Sequence, residues 1–525
     1  MTKDRLLAID AGTGSVRAVL FDLSGKQLAV EQEEWSHKSD PRFPGSMDFD
    51  WEHNWDLARG CVRRVLEKTG EDAARIAAVS TTCMREGILL YDKDGKEIWA
   101  CANVDSRAGD EVAELIRKDP ALEKELYALS GEAYALGALP RLLWVKNKLP
   151  EVYEKTARIG MFNDWLIYKL TGVMKVEPSN GSTTGIFQLK TRGWDPSIAS
   201  RLGLRDDIFG ETSECGEAVA AVNTQGAADT GLCEGTLVVS GGGDCQCGCI
   251  GVGVVNPMEA AIFGGSFWQY EYNTASPDTD PLARVRVNAH AVKGVWQYEA
   301  LAFNPGLVMR WYRDAFCTEE KLCAQKEGGD AYDYMNMEAE KIPAGCFGMQ
   351  CAFSDVMNFT SWRHAAPTFT NFSIDPDKFN RFTFYRAIME NTAIVTKGHM
   401  ALVHEATGGM PKEVVFAGGA SKSDLWCRIL ASVLGIPVRV PEVKEATALG
   451  CAMLAGLGAG IYTDINDAVD KCVRFSKTYE PDMADFKTYS ALYENWLNVY
   501  RAQLGLADKG CTTYMWSAPG VNVTG

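Results

Sequence analysis

Residues 6–22 read Leu-Leu-Ala-Ile-Asp-Ala-Gly-Thr-Gly-Ser-Val-Arg-Ala-Val-Leu-Phe-Asp. The apolar run Leu6–Ile9 ends at Asp10, a turn carries Gly12 and Gly14, and Val16, Ala18 and Leu20 resume an alternating pattern. Alternation on both sides of a glycine turn predicts a β-hairpin. A phosphate loop of the Walker or Rossmann type needs a helix after the turn, and none is signalled. The stretch suits an anion all the same. Gly12 and Gly14 free backbone N–H groups, Thr13 and Ser15 add hydroxyl donors, and Arg17 adds charge. Asp10, at the strand end, suits Mg2+. A capped tight turn accounts for these residues equally well.

Working outward, a strand that stops at glycine recurs three times. Val238-Val239-Ser240 runs into Gly241-Gly242-Gly243-Asp244-x-Gln246, Ala260–Phe263 into Gly264-Gly265-Ser266, and Val414–Ala417 into Gly418-Gly419-Ala420-Ser421-x-Ser423. Each follows an apolar run and offers bare backbone to phosphate or a nucleotide. The chain holds 50 glycines in 525 residues, about 9.5% against a usual ~7%. One such motif reads as a turn; four, two on each side of a boundary at Asn256-Pro257, need more than turns to explain them. Asp244 on its glycine triplet suits a proton acceptor for a hydroxyl, with the Gln246 amide orienting the substrate. Met84-Arg85-Glu86 places a donor beside an acceptor, as a polyol requires, although a surface ion pair is the plainer reading. Asn103, Asp105 and Arg107 open a helix, with Asp105 as its cap.

Between these motifs the spacing predicts a helix over 48–66 ended by Gly70, strands near 77–81 and 87–91 joined to the turn Asp92-Lys93-Asp94-Gly95, and helices over 107–118 and 139–148. After the boundary come a hairpin around Lys293-Gly294, a long helix carrying Ile388, Val395 and Leu402, a helix over 446–457, and an irregular tail containing Trp516. Strands alternating with helices indicate an α/β protein.

Lys and Arg total 53 against 69 Asp and Glu, a net charge of −16, which disfavours nucleic acid and anionic membranes as partners. No apolar run is long enough to span a bilayer and no signal peptide is evident, so a cytoplasmic setting is expected. The 16 cysteines are scattered and do not read as a disulfide framework. The cluster Cys245, Cys247, Cys249 lacks the C-x2-C spacing and a nearby His, and reads as packing. The six histidines are dispersed.

Together these residues resemble the FGGY family of carbohydrate kinases, in the actin and hexokinase fold group. The resemblance rests on Asp10–Arg17, Met84-Arg85-Glu86, Asp164-Trp165-Leu166 with Leu170-Thr171-Gly172, Gly243–Gln246, Gly264–Ser266, Phe416–Ser421 and Glu445–Ala452. It implies two actin-like, ribonuclease H-like domains, 1–255 and 256–525 with an irregular C-terminal tail, that bind ATP and substrate in the cleft between them. It implies further that Asp244 is the general base and that Asp10 and Asp244 hold Mg2+. Gly12, Thr13, Gly14, Ser15, Arg17, Gly265 and Ser266 would bind phosphates, and Gly306, Gly419 and Ser423 the nucleotide. Arg85, Glu86 and Gln246 would hold substrate oxygens, with Trp268 as a wall.

Within the family, 83–87, 98–105, 264–269 and 443–447 are similar to members that phosphorylate the primary hydroxyl of linear dihydroxypentanedione, a quorum-sensing signal. Leu136 stands where glycerol kinases present a tyrosine, and Arg85-Glu86 departs from the xylulokinase signature. A pentulose or polyol kinase is the alternative within the family; an actin- or chaperone-like ATP-driven protein is the alternative outside it, disfavoured by Asp244 and Arg85-Glu86. The expected partners are a small polyol or dihydroxypentanedione and, at most, a second copy of the chain.

Overall fold

The opening hairpin forms, with β1 (Arg5–Ala11) antiparallel to β2 (Ser15–Asp22) and Asp10 opposite Arg17. The computed structural model describes residues 3–521 except 71 and 136, and Thr360 without its side chain. Leu136 therefore lies outside the described residues. With β3 (Gln27–Glu34), β4 (Ile76–Cys83), β5 (Ala218–Ala221) and β6 (Leu237–Gly243), the hairpin builds a six-stranded sheet ordered β5-β6-β4-β1-β2-β3. The core strands β6, β4 and β1 run parallel. Helix α1 (Trp51–Thr69), capped by Asp50 and closed by left-handed Gly70, covers β2 and β3 with Trp55, Ala58, Cys61, Val62 and Val65. The expected helices lie at Gly109–Lys118 and Ala138–Lys148, and the expected strand at Ile88–Tyr91.

The second half repeats this topology. β7 (Ala260–Gly264) pairs antiparallel with β8 (Trp268–Thr274). Outside β8 lies the hairpin of β9 (Arg286–Ala289) and β10 (Trp296–Ala302), which turns near Lys293-Gly294. On the other side β7 runs parallel to β11 (Val414–Ala417), then come β12 (Val438–Pro441) and antiparallel β13 (Phe475–Tyr479). The order is β9-β10-β8-β7-β11-β12-β13. In each half a meander of three antiparallel strands continues into parallel strands from its first member. The motifs Gly12–Gly14 and Gly265-Ser266 therefore occupy the same turn of the two sheets, and each sheet lies wholly on one side of Asn256-Pro257.

Two helices join the halves. α2 (Asp244–Gly251) leaves the end of β6, and α5 (Ala446–Gly458) crosses it and returns to pack on β1, β4 and β6; between them in sequence lie α3 (Pro305–Phe316) and the long α4 (Arg381–Thr407). The crossing is close because it is made of glycine. A Cβ on Gly450 would stand 1.9 Å from the Cys247 carbonyl oxygen, and one on Gly251 would stand 1.9 Å from that of Ala446. The buried cysteines of α2 use both its faces. Cys247 packs with Leu6, Ala8 and Ala448, while Cys245 donates to Glu271 (2.8 Å) and Cys249 accepts from Gln297 (3.1 Å) across the interface.

The tail is not irregular. Residues Met483–Asp508 form the helix α6, and Tyr514–Ser517 form a strand paired with Arg363–Ala365. α6 buries Tyr489, Trp496, Tyr500, Gln503 and Ala507, spaced three, four or seven apart as one helical stripe requires. Trp516 stacks on Phe303, 4.1 Å between ring centres.

Candidate active site

The parallel strands β1, β6, β7 and β11 each end at or beside a glycine, and ligands of α/β proteins gather at such carboxyl ends. At the end of β1 the turn is tied from behind. Trp35 Nε1 donates to the carbonyls of Gly12 (3.0 Å) and Thr13 (3.1 Å), His37 meets the Thr13 carbonyl at 2.7 Å, and Asn103 Nδ2 donates to Thr13 Oγ1 at 2.9 Å. The amides of Gly12, Thr13 and Gly14 have no partner among the described residues, so they remain free for an anion.

Asp10 is buried beside Arg17 (Nε to Oδ2, 3.6 Å). Burial pushes its carboxyl up to about 7, against the pull of Arg17 and aided by the charges of Asp244 and Glu445. Arg17 Nη1 also meets Glu445 Oε2 at 2.5 Å, so the guanidinium bridges β2 to the start of α5 and faces two carboxylates.

Asp244 opens α2 at the end of β6. Its side chain is 40% exposed, and Oδ1 accepts from the Cys245 amide at 2.8 Å and lies 3.5 Å from Arg85 Nε. Burial of its surroundings raises its pKa to about 6, with Arg85 pulling it down and Glu86 and Glu299 pushing it up. Arg85 and Glu86 follow β4. Glu86 holds φ +62°, a strained backbone for a residue with a side chain. Its amide donates to Thr183 Oγ1 at 3.3 Å and its carbonyl accepts from Arg141.

The structure moves two expected substrate contacts out of the cleft. Gln246 is wholly buried and donates to Gln297 Oε1 at 3.0 Å, so its amide links the two halves. Trp268 is wholly buried in the core of the second half, stacked on Trp426 with ring centres 5.3 Å apart, its Nε1 donating to Thr396 Oγ1 at 2.9 Å. Strand alternation puts its neighbour Gln269 on the interface face, where Cys245 Sγ reaches it at 3.7 Å.

The second half holds a cavity of about 550 Å³. It is lined by the expected Gly265, Ser266, Gly306, Gly419 and Ser423, and also by Arg310, Arg313, Tyr332 and Asn336, which the sequence reading missed. Gly306 packs against the β7–β8 turn so tightly that a Cβ would stand 2.1 Å from the Gly265 carbonyl oxygen. The Ser423 hydroxyl caps the helix that follows it. Also missed were Glu299, Arg286 and Glu132, buried charges that join Arg85 and Glu86. Cys245, Glu271 and Glu299 bring possible metal-ligand atoms within 4.8 Å of one another. Arg85 and Arg286 already supply the positive charge there.

Residues 5–251 match the FGGY family of carbohydrate kinases, N-terminal domain, and residues 272–459 match the C-terminal domain of that family. The chain belongs to the FGGY family of carbohydrate kinases. It is 49% identical over 517 residues to an autoinducer-2 kinase of Enterobacter sp. (strain 638), covering 98% of each chain. It is 48% identical over 521 residues to one of Escherichia coli (strain K12), covering 99% of this chain and 98% of that one. Among solved structures, xylulose kinase from Rhodospirillum rubrum superposes with TM-score 0.84 at 24% identity, over 96% of this chain and 99% of that one. Plasmodium falciparum glycerol kinase with ADP gives 0.83 at 18% identity, over 95% and 98%. These likenesses show the two-domain FGGY fold. As a family member the chain is a phosphotransferase with an alcohol acceptor and a small-molecule substrate, and ATP is implied as donor. Among the described residues no helix is long and apolar enough to cross a membrane.

Proposed function

We propose that this FGGY kinase transfers the γ-phosphoryl group of ATP to the primary hydroxyl of autoinducer-2, in its linear dihydroxypentanedione form, in the cytoplasm. The observation that carries the reading is the position of Asp244. Its part-exposed carboxylate lies 3.5 Å from Arg85 Nε and near enough to Asp10, at the foot of the β1–β2 turn, for the two charges to interact, in a chain 48–49% identical to autoinducer-2 kinases throughout. ATP lies in the cavity of the second half, with its phosphates between the Gly12–Ser15 and Gly265-Ser266 turns. Arg85 donates to the acceptor's oxygens and Glu86 accepts from a hydroxyl.

Phosphoryl transfer asks chiefly for positioning and charge stabilisation. Asp244 accepts the hydroxyl proton as the P–O bond forms, since a carboxylate is too weak a base to ionise an alcohol beforehand. Asp10 and Asp244 also fit Mg2+. Both are hard oxygen donors at the ends of β1 and β6, the strands on either side of β4, and their charges interact strongly enough for Asp244 to raise the pKa of Asp10. When bound, Mg2+ would neutralise charge on the phosphates.

Asp244→Asn tests the reading. The variant keeps the shape of the site and should retain ATP binding by calorimetry while losing about 10²–10⁴ of kcat. Retention of more than about a tenth of wild-type kcat would contradict a base effect of that size. A coupled ADP-release assay with dihydroxypentanedione, xylulose, ribulose and glycerol checks the acceptor; the highest kcat/KM should fall to dihydroxypentanedione.

A further inference from the structure

The corner that carries Arg85 and Glu86 is held by the other half of the molecule. Glu299, on β10, is wholly buried and accepts from Arg85 Nη1 and, at 3.1 Å, from Arg286 Nη1. Arg286, on the neighbouring β9, reaches Glu86 Oε1 at 2.7 Å and grips Glu132 through Nε (2.5 Å) and Nη2 (3.2 Å). Arg85 and Glu86 are adjacent in sequence, so Arg85, Glu299, Arg286 and Glu86 close a ring of alternating charge across the domain interface. Burial would raise the Glu299 carboxyl, but Arg85 and Arg286 outweigh it and hold the group below the usual carboxylate range. Both ring carboxylates therefore face a guanidinium.

We infer that Glu299 and Arg286 are positioning residues for acceptor binding: from the β9–β10 hairpin of the C-terminal half they fix the directions in which Arg85 and Glu86 present their polar atoms. Three features carry this. An arginine side chain is long and rotationally free, and Glu299 is the buried partner that fixes one branch of its fork, leaving Nε directed at Asp244, 3.5 Å away. Glu86 sits on a strained backbone, a conformation that persists only where surroundings over-determine it, and Arg286 is the side chain that holds its carboxylate. Finally, a buried ion network is seldom more stabilising than apolar packing of the same volume. A ring of charge spent on two site residues is better explained by what it orients.

The inference rests on the reading that Arg85 and Glu86 bind the acceptor, and the test separates the two. Arg85→Lys, Glu299→Gln and the double variant are made in the full chain and assayed for ADP release with dihydroxypentanedione. KM is measured for acceptor and for ATP, and the melting temperature is recorded. Arg85→Lys should raise the acceptor KM about 10- to 100-fold, the range for losing a hydrogen bond to a charged group. Glu299→Gln should raise it about tenfold while the ATP KM stays within about twofold. Because Glu299 acts through Arg85 and, by way of Arg286, on Glu86, the double variant should be less impaired than the product of the two single effects.

Effects that multiply in the double variant, or an ATP KM that rises as far as the acceptor KM, would overturn the inference and leave the acceptor site standing. An unchanged acceptor KM in Arg85→Lys would overturn both. Glu299→Asp keeps the charge and shortens the reach by one methylene, so its acceptor KM should fall between those of wild type and Glu299→Gln. If Glu299→Gln does not fold, Glu299→Asp takes its place in the cycle with Arg85→Lys and is read in the same way.

Discussion

On the proposed mechanism Asp244 must be ionised to accept a proton, so its pKa sets the acid limb of activity. Its pKa is raised from 3.8 to about 6. With Mg2+ saturating, kcat/KM stays high above that value and below it should fall tenfold per pH unit as the base is lost. At limiting Mg2+, Asp10, raised to about 7, starts the fall earlier, because a protonated Asp10 no longer suits a cation. Metal and protons compete for the same oxygens, so raising Mg2+ from limiting to saturating should move the limb to lower pH. A pH–rate series at two Mg2+ concentrations measures both effects. A profile flat between about pH 5 and pH 7 at limiting Mg2+ would exclude Asp244 as the proton acceptor.

The crossing of α2 and α5 sets where Asp244 stands, because α2 begins with that residue and Thr447 Oγ1 of α5 donates to its carbonyl at 3.3 Å. Gly450→Val forces the helices apart. Overpacking of this kind costs about 1–3 kcal/mol, so the melting temperature should drop by several degrees and kcat should fall with it. Gly505→Ala gives the opposite sign. Gly505 is inside α6 with open space where a Cβ would stand, and Ala there should stabilise the helix by about 0.5–1 kcal/mol. Thermal unfolding of the two variants reads both signs. At this scale the sequence was legible where a turn glycine stood between alternating runs, as in the β1–β2 and β9–β10 hairpins. It was least legible in α6, whose buried stripe mixes three aromatics with Gln503 and Ala507 and lacks the aliphatic run that marks a helix. The site was legible to the strand ends and no further. Which side of β8 faces the cleft depends on a period of two, and choosing Trp268 over Gln269 put an aromatic in the wrong layer. The tetrapeptide Trp-Gln-Tyr-Glu occurs at 268–271 and again at 296–299, and its alternation carries the correct answer. The polar members Glu271 and Glu299 pair across β8 and β10 in the buried polar layer, while Trp268, Tyr270 and Tyr298 lie in the core. Ion pairs such as Arg85–Glu299, 214 residues apart, leave no local signal at all.

At the scale of the molecule, the two sheets share one topology, and on the proposed reading the ligands divide between them. The cavity proposed for ATP is built wholly from the second half, while Asp10, Asp244, Arg85 and Glu86 come from the first. Transfer on that reading requires the halves to approach, and closure also keeps water from accepting the phosphoryl group. The base of the cleft is fixed, because α5 is packed on the first sheet and the β9–β10 hairpin is bound to the first half through Arg286–Glu132, Arg85–Glu299 and the Tyr127 hydroxyl on the Val285 carbonyl. Among the described residues, the mouth, where Gly14, Gly265, Ser266 and Phe267 are exposed, has no such ties. The halves should thus rotate about the base, and a non-hydrolysable ATP analogue with dihydroxypentanedione should reduce the radius of gyration measured by small-angle scattering. Either ligand alone should produce less than the full change, since each contacts chiefly one half. A radius of gyration that is the same with both ligands as with neither would show that the cleft is already closed and that the exposed turns are not a moving mouth.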